Sequence, residues 1–227
     1  MCTNYRLTKT ITDIYVEFSQ NGLPVLLPER HVAPNLKPQP EIRPTDRAVV
    51  LRGHQEGVEL ARMRWGLVPW FHRGPVKAWK LATFNARAET VKTARSFRYA
   101  FERRRCLIAA DGWVEWKGEG KPKPKFYIDR NDAAPICFAG IWDRCESDEG
   151  HVESFTMVTQ PPGALSDVHD RAPVVLTQAD WARWLDTSAD VDDLLTAAPP
   201  DLYRIRPYVE VAAVASGAAA FNSPNLI

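Results

Sequence analysis

The chain has 227 residues, of which 45 % are apolar and 25 % charged, and its formal net charge is +1 at pH 7. This composition is ordinary for a globular protein and excludes wholesale disorder, so we predict one domain over residues 1–227 with one core. The longest early apolar run, Leu23 to Leu27, is short and interrupted by Pro24. We therefore predict neither a signal peptide nor a membrane span, and expect a cytoplasmic protein.

Short β-type runs separated by Pro, Gly and Asn turns dominate the sequence, and long helical periods are few. Ser96 is expected to cap a helix that ends at Arg103, and Thr177-Gln178-Ala179-Asp180 resembles a capping box before a second helix. A third helix is predicted over Val191–Ala197. The pattern predicts an α+β fold, with a mainly antiparallel sheet curled toward a barrel and helices at its periphery. The predicted strands are Val49–Leu51, Arg62–Leu67, Cys106–Ala110, Lys125–Ile128, Ile136–Ile141, Ser154–Thr159, Val174–Leu176 and Val209–Val214.

The small net charge hides an uneven distribution. Residues 62–130 carry 17 Lys and Arg against 6 Asp and Glu, whereas residues 131–227 carry 5 against 15. Either these two segments neutralise each other across the fold, or the middle of the chain forms a local basic surface. Aromatic side chains interleave with basic ones, as at Arg64-Trp65 and Trp79-Lys80, which suits phosphate contact combined with base stacking. This pattern favours single-stranded nucleic acid as a ligand.

The four cysteines form no C-x-x-C pair, and the five histidines show no zinc-binding spacing, so no structural metal is expected. Cys106 and Cys137 lie in apolar stretches, where a free cysteine behaves as a small buried hydrophobe. Cys2 differs, because removal of Met1 would give one residue both an α-amine and a thiol. A small second residue such as cysteine favours that removal.

Five short motifs follow one another over nearly the whole chain. Together they resemble the SOS-response-associated peptidase family, whose pattern begins Met-Cys and continues through R-W-G-L-[IV]-P, N-A-R-x-E-T, G-[FW]-x-E-W and H-x-R-M-P. The chain departs from this pattern at two places. Thr3-Asn4 replaces the usual Gly-Arg, whose arginine is expected to hold DNA, and Arg6 is a candidate to supply the missing positive charge. Ala172 replaces the usual methionine. The motifs are Met1-Cys2, Arg64-Trp65-Gly66-Leu67-Val68-Pro69, Phe84-Asn85-Ala86-Arg87-Ala88-Glu89-Thr90, Asp111-Gly112-Trp113-Val114-Glu115-Trp116 and Val168-His169-Asp170-Arg171-Ala172-Pro173-Val174.

The resemblance implies a covalent trap for abasic sites in single-stranded DNA that needs no cofactor or metal. An α-amino group has a pKa near ~7.7–8.0, so part of it is neutral and can attack the aldehyde of a ring-opened abasic sugar. The thiol of Cys2 would then close a five-membered thiazolidine ring. Such a crosslink is expected to be durable, and the same proton transfers run backwards would release it.

Three further residues receive catalytic roles by this resemblance. Glu115, between two tryptophans, is the expected general acid and base, because an apolar setting raises a carboxyl pKa. His169 is expected to assist opening of the sugar ring by proton transfer, and Asn85 to position the cysteine amine or the sugar. Without the resemblance, Glu115 would be interpreted as a surface residue of a strand and His169 as a solvent-facing loop residue.

A second set of residues is expected to bind DNA. Arginines would contact phosphates, and an apolar wedge or stacking platform would lie beside the lesion. Such binding depends on salt and little on sequence. The wedge residues are Trp65, Pro69 and Trp70, and the remaining DNA-binding candidates are Asn4, Arg64, Arg87, Arg95 and Arg171.

Two other functions stay open at this stage. The first is a thiol peptidase that acts on its own N-terminus, with Cys2 as nucleophile, His169 as base and Asn85 or Glu115 as helper. The second is a noncatalytic single-strand-binding module in which Cys2 is incidental. We expect a monomer whose other partners are replication or repair proteins.

Overall fold

A computed structural model describes residues 2–26, 37–118, 122–132, 134–148, 150–196 and 202–209. Three α-helices are described: α1 (Ile11–Gln20), α2 (Arg98–Arg103) and α3 (Trp181–Leu185). Short 3-10 turns cover Val76–Ala78, Gly163–Leu165, Gln178–Asp180 and Asp192–Leu195. The strands are β1 (Tyr5–Leu7), β2 (Gln39–Ile42), β3 (Arg47–His54), β4 (Gly57–Trp65), β5 (Asn85–Arg87), β6 (Arg105–Ala110), β7 (Gly112–Trp116), β8 (Lys125–Arg130), β9 (Ile136–Ser147), β10 (Gly150–Gln160), β11 (Ala172–Pro173) and β12 (Tyr203–Pro207).

Five strands close into a barrel. β4 pairs with β3, β3 with β6, β6 with β9 and β9 with β10, all antiparallel, and a parallel pairing of β10 with β4 completes the ring. β10 extends beyond the ring and also pairs with β5 and β11. The prediction of an α+β fold with a mainly antiparallel, barrel-like sheet and peripheral helices is confirmed.

A second antiparallel sheet lies against the barrel, in the order β12, β8, β7, β1, β2. Side chains alternate across a strand, so Trp113 and Glu115 of β7 share one face while Gly112 and Val114 share the other. The inner face is aromatic: Tyr5 makes an edge contact with Trp65 of the barrel, and Trp113 makes one with Phe138. All four rings are buried, and they fix which face of the sheet points inward.

Most predicted strands lie within observed ones, and the errors are local. The run Arg62–Leu67 extends past the end of β4, because Gly66 adopts φ +113° and turns the chain. Val174–Leu176 follows β11 and makes only a single bridge, from Val175 to Phe138. The predicted strand Val209–Val214 lies outside the described residues beyond Val209.

The helix predictions need two corrections. Ser96 is not the cap, because α2 begins after Phe97 and no side chain caps it. The hydroxyl of Thr177 donates to the carboxylate of Asp180 instead of accepting from a backbone N–H, so the second helix begins as a 3-10 turn. In the third predicted helix only a 3-10 turn over Asp192–Leu195 is observed, and residue 197 lies outside the described residues. No described helix is both long and apolar enough to cross a membrane.

Helix α1 was not predicted, although its start carries a sequence signal. The hydroxyl of Thr10 accepts from the backbone N–H of Asp13, and the carboxylate of Asp13 accepts from the N–H of Thr10. This reciprocal pair is a capping box. Only Ile14 and Phe18 of the helix are fully buried, so its hydrophobic period is too weak to predict a helix. The short strands β1, β2, β5, β7 and β12 were also not predicted.

The uneven charge distribution is partly neutralised across the fold and partly exposed as basic surface. Arg104 pairs with Asp143, Lys92 with Asp192 and Arg130 with Asp132, so part of the basic segment is neutralised by the acidic one. Other cations of the basic segment are exposed to solvent, and they give the protein local basic surfaces. They include Arg62, Arg73, Lys77, Lys80, Arg87, Arg95 and Arg98.

Candidate active site

Cys2 and Asn85 lie together, although they are far apart in the sequence. The side-chain amide of Asn85 donates from Nδ2 to the backbone carbonyl of Cys2 over 2.7 Å. Asn85 is held by β5, where it is the register partner of Met157 on β10. Cys2 is only 1 % exposed, and its Sγ lies 3.8 Å from the carbonyl oxygen of Asn4. The barrel thus anchors the backbone of the N-terminal cysteine.

Glu115 lies on the inner face of β7, next to this N-terminal segment. The N–H of Val114 donates to the carbonyl of Asn4 over 2.9 Å, which fixes the segment against β7. Glu115 is 1 % exposed, and neither of its carboxylate oxygens accepts a hydrogen bond within the described part of the chain. Burial raises its pKa to about 8, although the positive charge of the amino terminus acts in the opposite direction. A carboxyl group of this kind is protonated at neutral pH and exchanges its proton readily.

His169 lies opposite Glu115, with 3.8 Å between its Nε2 and the carboxylate oxygen Oε2. Its Nδ1 is 3.1 Å from the backbone nitrogen of Arg171 and 2.6 Å from a carboxylate oxygen of Asp170. Nδ1 accepts from the N–H of Arg171 in the neutral tautomer that has its proton on Nε2, and it donates to Asp170 in the other neutral tautomer and in the protonated ring. Burial, followed by the charge of the amino terminus, lowers the pKa of His169, so the neutral ring dominates at neutral pH.

The site presents more acceptors than donors. Oδ1 of Asn85 and both carboxylate oxygens of Glu115 are buried without a hydrogen-bond partner among the described residues. An α-amino group brings N–H donors, and a sugar hydroxyl brings an O–H donor. Burial, and then the charge of Glu115, raises the pKa of the Cys2 thiol, so the thiol remains protonated. This arrangement suits an incoming amine or hydroxyl, and it suits proton transfer between neutral groups.

A bidentate ion pair ties the His169 loop to the end of β5. Arg171 donates from Nη1 and Nη2 to the two carboxylate oxygens of Glu89, at 2.5 and 2.8 Å, and from Nη2 to the carbonyl of Thr159 at 2.7 Å. Arg171 was predicted to contact phosphate, but its guanidinium is bound within the protein. Because Asn85 and Glu89 belong to the same segment, this pair joins the two halves of the site.

An exposed aromatic cleft of about 450 Å³ lies between the β4–β5 connection and α2. Trp70 is 46 % exposed, and its ring centroid is 5.7 Å from that of Tyr99. The guanidinium of Arg95 lies 4.7 Å from the centre of the Phe71 ring. The buried carboxylate of Asp143 accepts from the N–H of Trp70 at 2.8 Å, so the loop is anchored to the barrel. The cleft therefore combines a fixed indole with exposed positive charge.

The structure corrects several of the predicted DNA contacts. Trp65 is fully buried and Pro69 is also buried, so neither forms a stacking platform; Trp70 alone of the three is exposed. Arg64 is partly buried and donates to the carbonyl of Gly66 at 2.6 Å. Asn4 is 5 % exposed and donates to Glu41 at 2.7 Å.

Three residues of these sites were not predicted from the sequence. Glu89 belongs to the same motif as Asn85, so its closeness in sequence to a predicted site residue could have indicated it. Asp143 and Tyr99 carry no motif, and only the fold brings them to Trp70. Within the described ranges, no group of three or more His, Cys, Asp or Glu side chains is arranged to hold a metal ion.

Comparison with known proteins identifies the family. The model of the SOS response associated peptidase (SRAP) family matches residues 1–212. The abasic site processing protein YoqW of Bacillus subtilis is 30% identical over 204 residues, which cover 88% of this chain and 87% of that protein. The abasic site processing protein YMR114C of Saccharomyces cerevisiae is 32% identical over 166 residues, which cover 70% of this chain but only 44% of that longer protein.

Solved structures share the fold. A crystal structure of a protein from Bacteroides thetaiotaomicron has a TM-score of 0.78 at 24% sequence identity, and 91% of each chain is covered. One from Bordetella bronchiseptica has a TM-score of 0.75 at 25% identity, and covers 92% of this chain and 100% of that chain. The family match along almost the whole sequence shows that this chain belongs to the SOS response associated peptidase family.

Proposed function

We propose that this protein traps abasic sites in single-stranded DNA by forming a covalent thiazolidine through Cys2 after Met1 is removed. The observation that carries the proposal is the cluster of buried Asn85, buried Glu115 and partly buried His169 around Cys2. The relatives named abasic site processing proteins supply the substrate class.

The proposed reaction needs no oxidant or reductant. The lone pair of the Cys2 amine attacks the aldehyde carbon of the open sugar, and the carbinolamine that forms loses water to give an imine. The sulfur of Cys2 then bonds to the imine carbon, while the thiol proton ends on nitrogen. The product is a thiazolidine together with one molecule of water. In the reverse direction the ring first opens to the imine and the thiol; water then adds to the imine, and the carbinolamine releases the aldehyde and the amine.

The site residues divide the proton transfers. Protonated Glu115 gives its proton to the departing hydroxyl of the carbinolamine, which suits a pKa of about 8. Neutral His169, in the tautomer that donates from Nδ1 to Asp170, accepts the hydroxyl proton of the closed sugar at Nε2 and returns it to the ring oxygen as the ring opens. Asn85 fixes the Cys2 backbone through its carbonyl, so the amine and thiol remain beside Glu115.

The aromatic cleft is proposed to hold the strand beside the lesion. Trp70 offers an exposed indole face for stacking, and Arg87 and Arg95 are exposed cations that suit phosphates. Trp70→Ala should weaken binding of an undamaged oligonucleotide by about 5- to 150-fold, since one base stacked on an aromatic ring contributes about 1–3 kcal/mol. Fluorescence anisotropy measures this loss, and His54→Ala, at an exposed position on β3, is the control. An unchanged affinity would show that the strand does not use this cleft.

The peptidase alternative is less well supported. A cysteine peptidase attacks with a thiolate, so its nucleophile has a lowered pKa. Burial raises the pKa of the Cys2 thiol, and the neighbouring Glu115 raises it further. The same feature does not impede a reaction in which the amine attacks first and the thiol transfers its proton afterwards.

A denaturing gel tests the proposed function directly. The processed protein, with its free N-terminus verified by intact mass, is mixed with single-stranded DNA that carries one abasic site or an intact base. We expect a shifted band that survives heat and detergent only with the abasic strand. Protein that retains Met1 should give no such band, since its terminal residue lacks the thiol. Absence of the band from the processed protein would move the peptidase function to first place.

A further inference from the structure

A basic groove lies on the outer face of the small sheet, on the side away from Glu115. The ring of Tyr127 lines the groove and covers Gly112, where a Cβ would lie 2.5 Å from that ring and 2.6 Å from the carbonyl of Ile128. The missing side chain lets Tyr127 lie across β7 toward β1. The guanidinium groups of Arg6 and Arg206 lie 5.0 and 5.3 Å from the centre of its ring. We call this cavity, with Arg6, Tyr127 and Arg206 at its centre, the outer groove.

Cationic side chains outnumber carboxylates in both parts of the outer groove. Its wider part, of about 420 Å³, is lined by five cations and by the carboxylates of Asp111 and Asp129. The narrower part, of about 220 Å³, is lined by Arg6 and Arg206 without any carboxylate among the described residues. Asp129 accepts hydrogen bonds from both Arg204 and Arg206, so one carboxylate serves two guanidinium groups.

Arg6 is the least compensated of these cations. Its Nε donates to the backbone carbonyl of Pro40 at 3.3 Å, and no carboxylate is paired with it in the described part of the chain. Arg6 is the register partner of Gly112, and so it lies on the face opposite to Glu115. Arg6 therefore points away from the side of the sheet that carries Glu115, and its charge requires another explanation.

We propose that the outer groove is a second nucleic-acid contact that binds a backbone phosphate of the strand away from the reacting nucleotide. Guanidinium groups bind phosphate through paired hydrogen bonds, and stacking on Tyr127 holds two of them in place before the ligand arrives. The phosphate chemistry follows from the groove itself, and its assignment to DNA rests on the proposed function. The outer groove lies on a different face of the sheet from Glu115. Only a strand long enough to reach both faces can use this contact, so it adds affinity for long strands and not for short ones.

Paired charge variants test the groove. Binding of undamaged single-stranded DNA is followed by anisotropy across a salt series, with one oligonucleotide that fills only the crosslinking site and one much longer. Arg6→Gln with Arg206→Gln should weaken binding of the long strand by about tenfold at low salt. The double variant should also flatten its salt slope by about 0.7, because the loss of one phosphate contact to single-stranded DNA removes about 0.7. Asp129→Asn should act in the opposite direction and tighten binding. Arg183→Gln, which removes an exposed arginine paired with Asp193, is the matched control.

The remaining measurements distinguish a DNA phosphate from a free phosphate compound as the ligand, and they test the groove independently of the crosslinking reaction. Crosslinking of the short abasic strand should be equal in wild type and double variant, so a loss of crosslinking in both would contradict only the proposed function. If inorganic pyrophosphate raises the Tm of wild type and not of the double variant, while long-strand affinity is unchanged, the groove serves a free phosphate compound and the DNA assignment is overturned. Equal long-strand affinity and equal pyrophosphate response in all variants would overturn the proposal entirely.

Discussion

Replacing Cys2 with alanine should abolish the heat-stable crosslink completely. The variant still loses Met1, because alanine is also small, and its α-amine can still form an imine with the abasic aldehyde. Without the thiol the imine cannot close to a thiazolidine, so heat and water hydrolyse it. Adding borohydride before denaturation reduces the C=N bond to an amine and should restore the shifted band. Gels run with and without the reductant therefore separate the two bond-forming steps.

Cys145→Ala provides the control for this experiment. Cys145 is a buried thiol, 1 % exposed, that packs in a separate cluster with Val68 and Val152. This variant should crosslink as wild type does, which assigns the effect to the thiol at position 2. A heat-stable band from Cys2→Ala without borohydride would contradict the mechanism and point to another nucleophile.

Glu115→Gln should slow crosslinking by about 10²- to 10⁴-fold, the usual contribution of a general acid or base. Glutamine keeps the shape of the side chain but cannot give a proton to the departing hydroxyl. In wild type the rate constant should fall as pH rises through about 8, where Glu115 loses its proton. Single-turnover gels over a pH series should show this alkaline limb in wild type and not in the variant. An alkaline limb of the same midpoint in Glu115→Gln would assign it to another group.

The same carboxyl group should also make folding stability depend on pH. Burial raises the folded-state pKa of Glu115 from 4.5 to about 8, so the folded chain holds a proton that the unfolded chain releases. The stabilisation from this proton is fully present below pH 4.5 and is lost as pH rises through about 8. A tenfold difference in proton affinity corresponds to about 1.4 kcal/mol, which limits the effect to about 5 kcal/mol.

Glu115→Gln has no such proton to lose. Its free energy of unfolding in urea should therefore exceed that of wild type at pH 9, and the difference should shrink as pH falls toward 4.5. A variant that is less stable than wild type at pH 9 would show that the charged carboxylate is compensated in the folded protein. This measurement needs no DNA, so it tests the environment of Glu115 independently of the reaction.

The sequence by itself determined the fold class and the family, and it pointed to the residues that are proposed to react. Short apolar runs between turn residues marked the long barrel strands, because each of these strands is buried over at least four consecutive positions. The motifs around Asn85, Glu115 and His169 gave the resemblance to the family, which the family match confirmed. Short strands such as β1 and β5 carry only three residues each, too few for a period to be recognised.

The tertiary structure alone decided which side chains are accessible and what they contact. Trp65 and Trp70 look alike in sequence, but Trp65 turns into the core and donates to the carbonyl of Phe84, whereas Trp70 follows the turn at Gly66 and reaches solvent. Arg6 and Glu115 lie on paired strands, but they face opposite sides of the sheet. Sequence patterns report local periodicity, whereas burial and charge compensation arise from contacts between segments far apart in the chain. For that reason the sequence pointed to the residues that are proposed to react, whereas the surfaces that are proposed to contact DNA became visible only in the tertiary structure.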